Sequence, residues 1–571
     1  MLNYLRYLKI APINSFITAA LFLSFFLLAV MDVVGVYFLG QLISIIVQGT
    51  GESSFVIDFF KNLNINLPRN IIIIFSCLIA LYFILKAIAA YFIQTRLLEV
   101  SYSVMIKMRV FLMKKYLNLN YLDIILLGFS KIATKINLHC DTYVRGIYMP
   151  IMRLISDSIM LLLLGLFLFS QNPVVFPIFL FLIAFFIGGY IIIIKNKIYS
   201  AGKEAALAQE TFLLDIKNSV RGIKESKILA KESYYLDKFS RNTHYLAENI
   251  KLHDKFVILP KYFIEAVLVS VMVMLVVLSI WFYGYQNNEA YVMIGYYIAA
   301  ALRIMPSINQ TVTSIGNMRN ATYIVEELKK EFQDPASDIE KTDIAGFNKS
   351  IIFDKVSFSY PESDKSVLND LNICINKCDN VGIIGESGSG KTTFLDILIG
   401  LISPTEGSLI VDNEIITNKN NDSWMKNISF ISQDISLFNE SIKQNIVLDE
   451  YNIDEEKLNE SLTKSGLSKE LTKFINGVET IIGDEGSFLS GGQRQRVGIA
   501  RAIYHSRDIM VLDEATTGLD GKLEEEIIQS VYDLCKDKTL FIISHNHKIL
   551  SGCNKILQIK DGKIIELESN L

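Results

Sequence analysis

Six apolar stretches, all within the first 318 residues, constrain this chain more than any other feature: residues 14–48, about 70–95, 146–172, 174–194, 256–288 and 290–318. The first carries a single charge, Asp32. A helix needs about 20 predominantly apolar residues to cross a hydrocarbon core roughly 30 Å thick, so each run is long enough to span a bilayer. Composition agrees, because 51% of the 571 residues are hydrophobic and 20% are charged, which is too apolar for an ordinary soluble enzyme. Arg6 and Lys9 precede the first run, but a cleavable signal has an apolar core of only about 7 to 15 residues, so a retained anchor is expected.

The connections set the expected topology. Residues 96–145 contain Arg96, Lys107, Arg109, Lys114, Lys115, Lys131, Lys135 and Arg145, and 195–255 are similarly charged. Both are expected on the cytoplasmic side with the amino terminus, because Lys and Arg bias loops inward. On the opposite side, Phe55, Val56, Phe59, Phe60 and Leu63 recur at helical spacing against Asp58, Lys61 and Asn62. They suggest a short amphipathic surface helix, with a partly ordered loop as the alternative. Lys plus Arg is 55 and Asp plus Glu is 59, a net charge of -4, so no nucleic-acid partner is expected. Cys77, Cys140, Cys374, Cys378, Cys535 and Cys553 are scattered and read as free thiols rather than a disulfide framework or zinc site.

Composition changes near Glu331. Residues 1–330 are read as a six-helix membrane domain and 331–350, with Asp334, Pro335, Ser337 and Asp338, as a polar linker; 351–571 read as a soluble α/β domain. There the β-branched runs Val381–Ile384, Ile428–Ile431, Ile509–Leu512 and Leu540–Ile543 alternate with helical patterns, as in an open α/β sheet.

Three motifs in that domain carry chemistry. Gly385, Glu386, Ser387, Gly388, Ser389, Gly390, Lys391 and Thr392 form a phosphate-loop pattern between an expected strand and an expected helix. The glycines let backbone N–H groups turn toward phosphates, Lys391 reaches the β and γ oxygens, and the Thr392 hydroxyl can ligate Mg2+. Ile509–Leu512 leads into Asp513 and Glu514; Asp513 can hold Mg2+ and Glu514 can orient or deprotonate an attacking water. Between them, Leu489, Ser490, Gly491, Gly492 and Gln493 open a further expected helix, whose first N–H groups form another phosphate-directed ring.

On these motifs, residues 351–571 resemble the nucleotide-binding domain of ABC transporters, and Leu489–Gln493 match that family's signature. The resemblance implies ATP with Mg2+ as cofactors and ATP hydrolysis as the reaction. It also implies Tyr360 stacking on adenine, Thr393 within the nucleotide site, Gln433 as a Q-loop residue beside Mg2+, Asp520 in a D-loop and His545 as the switch histidine. Gly483-Asp484-Glu485-Gly486 resembles the exporter-type loop that contacts the membrane half. In that family one copy's signature closes on nucleotide held by its partner, so a homodimer is implied. The six-span half resembles the membrane domain of ABC exporters, which implies coupling helices near Asn118–Leu127 and Ala205–Phe212.

Charged groups inside apolar spans cost about 2.5 to 3.5 kcal/mol each, so they face a partner or a polar cavity. Arg153 with Asp157 and Lys261 with Glu265 are spaced for pairing along one helix face. Lys86, Arg303 and Asp32 have no partner in their own spans; the two cations are expected to offer a basic wall to an anionic cargo, with a bridge from Asp32 as the structural alternative. The stretches Leu259–Glu265 and Ala301–Ser307, with the outer amphipathic segment, resemble bacterial lipid-linked oligosaccharide flippases of the PglK type. That resemblance implies that Lys86, Lys261 and Arg303 meet a lipid pyrophosphate, although Gln310 stands where a further arginine is expected. The function expected is ATP-driven movement of a polyprenyl-diphosphate oligosaccharide or related anionic glycolipid from the cytoplasmic to the outer leaflet of a bacterial cell membrane. The alternative is export of a peptide, bacteriocin or small amphipathic molecule.

Overall fold

The computed structural model describes residues 15–48, 68–171, 207–283, 288–333, 346–361, 365–515 and 521–567, with a few isolated positions between them. The chain divides into two compact units, Met1–Leu119 with Ile124–Ala336 and Asn120–Asp123 with Ser337–Leu571. The expected fourth span at 174–194 falls largely outside the described residues, as do the amphipathic segment at Phe55–Leu63 and most of the linker.

The first unit is built of long helices: α1 (Ser15–Gln48), α2 (Pro68–Leu117), α3 (Met149–Gln171), α4 (Glu232–Tyr283) and α5 (Asn288–Gln333). Among the described residues, three helical stretches are long and apolar enough to cross a membrane: Phe16–Ile46, Asn70–Leu117 and Phe129–Gln171. The expected fifth and sixth spans lie on α4 and α5. Helix α2 has 50 residues, roughly 75 Å at 1.5 Å per residue, far more than a bilayer core requires. Its final turns carry Lys114, exposed, and Lys115, buried. Two π-helical turns, Lys135–His139 and Val144–Tyr148, precede α3.

Close backbone approach fixes how α1 meets α5. A Cβ on Gly40 would lie 2.0 Å from the Tyr296 ring, and one on Gly295 would lie 2.9 Å from Ile43, so each helix offers a notch to the other's large side chain. The Gln41 amide donates to the Tyr296 hydroxyl at 2.9 Å. Farther along the chain, Lys115 donates to the Glu331 backbone oxygen at 2.7 Å and to its carboxylate at 2.9 Å, and Lys135 reaches the other carboxylate oxygen at 2.5 Å. That tripod ties α2 and the first π-turn to the end of α5.

The helical interruptions correct one expectation. Tyr121–Leu127 is a separate short helix inside the first anticipated coupling stretch. In the second, residues 207–220 run on as helix, and the short segment at the tip is Ile223–Ile228. Gly222 and the turn at Leu229–Ala230 break the chain there, not Ala205–Phe212, whose sequence contains no helix breaker.

The second unit contains two sheets. The antiparallel one has strand order β2-β1-β4-β5, from β1 (Ser350–Phe358), β2 (Leu368–Asn376), β4 (Glu406–Val411) and β5 (Glu414–Ile415). The other has the order β10-β9-β3-β8-β7-β6. Its strands are β3 (Asn380–Gly385), β6 (Ile428–Ile431), β7 (Ile509–Asp513), β8 (Thr539–Ile543), β9 (Lys555–Lys560) and β10 (Lys563–Leu567). From β9 to β6 every pairing is parallel. Every residue of β7 and β8 is buried, as expected of strands covered on both faces.

Candidate functional site

The carboxyl ends of adjacent parallel strands hold the chemistry. Strand β3 delivers Gly385 into the phosphate loop, β8 leads to His545, β7 to Asp513 and Glu514, and β6 to Gln433. Ligands of open α/β sheets bind at this edge.

The phosphate loop ends at helix α6 (Lys391–Ile399). Gly388 and Gly390 have φ of +80° and +103°, values that Gly adopts without a steric penalty. A Cβ on Gly385 would sit 2.6 Å from the Ile559 carbonyl oxygen. Lys391 is 8% exposed and donates to the backbone oxygens of Gly385 at 2.8 Å and Glu386 at 3.2 Å, which folds the loop around its ammonium group. Ser389 Oγ is buried with no hydrogen-bond partner, an orphan that a phosphate oxygen would satisfy. Thr392 is exposed beside it, whereas Thr393 is buried and its hydroxyl lies 3.1 Å from the Tyr360 hydroxyl. Thr393 therefore orients Tyr360, whose ring also meets Phe358 edge-on.

Glu514 adopts φ of +47°, a left-handed conformation uncommon for a non-glycine residue. Its carboxylate accepts from Gln433 Nε2 at 2.9 Å and lies 3.2 Å from His545 Nε2. Gln433, Glu514 and His545 thus converge from three strand ends. Asp513 is 7% exposed; burial and then the charge of Glu514 push its carboxyl up to about 6, against an opposing effect of Lys391. Asp396 is likewise raised to about 6 by burial and by Asp513. A divalent cation would relieve this crowding. Among the described residues no group of three His, Cys, Asp or Glu side chains could hold a metal. Thr392, Gln433 and Asp513 suit Mg2+, which is typically shared between a few protein oxygens, nucleotide phosphates and water.

The signature opens helix α7 (Gly491–His505), and Ser490 is its N-cap. Ser490 Oγ accepts from the Gln493 N–H at 3.3 Å while Gln493 Oε1 accepts from the Ser490 N–H at 2.9 Å, a reciprocal capping box. Using its lone pair this way leaves the Ser490 proton to donate outward. Gln493 Nε2 donates to Glu470 at 3.0 Å, and Arg496 pairs with that same carboxylate at 3.3 Å. Leu489 and Val497 belong to a hydrophobic cluster with Leu437, Ile442 and Leu458, separate from the cluster containing Phe394 and Val381 around the phosphate loop. Gly483, Glu485 and Gly486 all take positive φ, making the preceding loop compact. Gly518, Leu519 and Asp520 lie outside the described residues.

The intramembrane charges revise the basic-wall expectation. Asp32, with a side chain 1% exposed, bridges both cations: Lys86, and Arg303 Nη2 at 2.7 Å. Lys86 and Arg303 are therefore partly neutralised and share one carboxylate rather than forming an uncompensated wall. This is the structural alternative of a bridge from Asp32, extended to both cations, one of them 271 residues away in sequence. The side chain of Lys261 lies outside the described residues.

Comparison with known proteins places these observations. Residues 368–517 match the family model described as ABC transporter. An "ATP-dependent lipid A-core flippase" of Ralstonia nicotianae is 28% identical over 72% of this chain and 70% of its own length. Another of that name, from Desulfotalea psychrophila, is 32% identical over 45% of this chain and 44% of its own. A "Beta-(1-->2)glucan export ATP-binding/permease protein" of Brucella abortus is 31% identical over 46% of this chain and 43% of its own. The chain thus spans less than half the length of two of these three relatives. The solved structure of a bacterial Atm1-family ABC exporter with ATP bound superposes with a TM-score of 0.82 at 16% identity, covering 97% of this chain and 96% of that one. At that identity the likeness establishes the fold.

Two outcomes follow from the buried charges. Native Asp513 titrates near 6, above its unfolded value of about 3.9, so the folded protein binds more protons across that interval. Nucleotide-free stability should therefore fall as pH rises from about 4 to 6, and Asp513→Asn should recover on the order of 2 kcal/mol at pH 7. Thermal unfolding against pH in detergent measures both. In the membrane half, Asp32→Ala should cost about 3 kcal/mol by leaving its cations facing each other. Adding Lys86→Met should restore part of that loss, and non-additivity in a double-mutant cycle is the readout.

Proposed function

Starting from a chain that carries an ABC transporter ATPase domain joined to a membrane-spanning helical half in the ABC exporter fold, we propose an ATP-driven flippase. It moves an anionic glycolipid from the cytoplasmic to the outer leaflet of a bacterial cell membrane, and the finer assignment is a polyprenyl-diphosphate oligosaccharide. The observation that carries the catalytic part is the Gln433–Glu514–His545 arrangement at the edge that also bears the phosphate loop. Glu514 orients or deprotonates the attacking water, Gln433 holds the carboxylate in place, and His545 senses the γ-phosphate. Lys391 and the loop N–H groups bind the phosphates, Tyr360 stacks on adenine, and Thr392 with Asp513 and Gln433 holds Mg2+, which screens phosphate charge when bound.

The working unit is a homodimer. The chain has one phosphate loop and one signature, and these rest on separate hydrophobic clusters; Ser490 of one copy would cap nucleotide held by the other. Asp520 belongs to that same seam. The cargo reading is supported by the names of the flippase and glucan-export relatives and by charged groups within the apolar spans. Of the two described cations, Arg303, with its side chain 36% exposed, is better placed than the largely enclosed Lys86 to meet a phosphate; Lys261 is included on the resemblance alone.

Glu514→Gln should retain ATP binding and lower steady-state hydrolysis by about 10² to 10⁴-fold. Radiolabelled nucleotide binding and phosphate release on the purified dimer give the two numbers, and undiminished turnover removes Glu514 from its role. In proteoliposomes, lipid-linked glycan should stimulate ATPase activity and become accessible at the other leaflet. Stimulation by peptides or dyes with none by glycolipid would favour the peptide or drug exporter instead.

A further inference from the structure

The membrane half contains a polar cavity of about 280 Å³ lined by Gln94 of α2, Arg153, Ser156 and Asp157 of α3, and Gln310 of α5. Its five side chains are two carboxamides, a hydroxyl and one charge of each sign, so the lining is neutral overall. Asp157 accepts a hydrogen bond from Ser307 and lies within electrostatic reach of Arg303 and Asp32. Its Oδ2 is buried with no hydrogen-bond partner. Gln310 Nε2 has only a long contact, 3.4 Å, to Ser314 Oγ.

These groups restrict what can enter. A hydrocarbon chain would leave several polar atoms unpaired, each at a cost that burial makes severe. A bare phosphate would gain Arg153 but confront Asp157, and an ionised phosphate diester has no proton to give the orphaned Oδ2. A hydroxylated ring satisfies both demands, because every hydroxyl donates once and accepts twice. Carboxamides can reciprocate either way. The volume lies just under the roughly 300 to 1,000 Å³ typical of drug-sized sites, which suits one sugar ring rather than an oligosaccharide.

Resting on the flippase reading above, we infer that this cavity is a carbohydrate subsite. It reads the sugar nearest the lipid phosphate, with Asp157 and Gln310 as specificity-determining residues, while the phosphate stays on the Arg303 side. Asp157 accepts from a ring hydroxyl, Gln94 and Gln310 exchange hydrogen bonds with its neighbours, and Arg153 balances the carboxylate. The same carboxylate disfavours a second phosphate in the cavity, so selection acts on the sugar instead of on added negative charge.

The test uses the full-length protein in nanodiscs and two probes, a polyprenyl diphosphate and that same lipid carrying one hexose. The readout is the ratio of the concentrations that half-stimulate ATPase activity. The hexosyl lipid should act at about tenfold lower concentration, the worth of one or two net hydrogen bonds. Asp157→Asn, Gln310→Leu and Gln94→Leu should each bring the ratio toward one, and three variants guard against any one failing to fold. A wild-type ratio of one, or a ratio that survives all three substitutions, overturns the sugar subsite while leaving the flippase reading intact. Stimulation by neither lipid overturns the cargo reading and this assignment with it, and equal weakening of both lipids by every variant shows a purely structural cavity.

Discussion

Parallel pairing of β3, β8, β7 and β6 is the constraint on which the α/β unit depends. Hydrogen bonding from Asn380 against Leu540 through Asp513 against Ile543 and Leu512 against Ile431 aligns the strand ends within a few ångströms of a common edge. The residues that would act on one phosphate are spread over more than 150 positions of sequence, from Gly385 to His545. They become neighbours because the strands run in one direction and stop together. Burial of both faces of β7 and β8 makes the register expensive to shift, since a one-residue slip would reorient every side chain. The left-handed backbone at Glu514 turns the chain at that edge, and the bonds to Gln433 and His545 hold the carboxylate there.

Both halves keep charge in poorly solvated places, but by different means. In the ATPase domain Asp513 and Asp396 press against each other electrostatically, and their discomfort has a natural remedy in a bound cation. In the membrane half, among the described residues, two carboxylates are each held by fixed opposite charges: Asp32 by Lys86 and Arg303, and Glu331 by Lys115 and Lys135. Both carboxylates therefore hold two cations apiece. Such three-charge clusters join helices distant in sequence, giving the bundle directional contacts that apolar packing alone does not provide.

The ATPase motifs were legible because their chemistry is local. Gly385–Thr392 must turn sharply between a strand and a helix, and Ser490 must stand three residues before Gln493 for the capping box to close. The strand alternation near Ile509 and Leu540 likewise announced an α/β sheet. What escaped was long-range. Sequence left a bridge from Asp32 only as an alternative, and no spacing rule brings Gln94 to Arg153 and Gln310. From sequence Thr393 reads only as part of the nucleotide site, yet one helical step beyond Thr392 turns it inward to the Tyr360 hydroxyl. Placing the second intrusion's tip at Ala205–Phe212 failed because uniformly helix-compatible residues give no stop signal before Gly222.

The notches at Gly40 and Gly295 bear on how the bundle rearranges. With the Tyr296 ring seated over Gly40 and Ile43 over Gly295, α1 and α5 are keyed like gear teeth along their shared axis. Sliding one helix past the other by a turn would drive an aromatic ring into backbone, so axial slippage demands that the pair first come apart. Motion that leaves the keys engaged carries both helices as one rod, and flexing must then fall on the joints at either end of that rod.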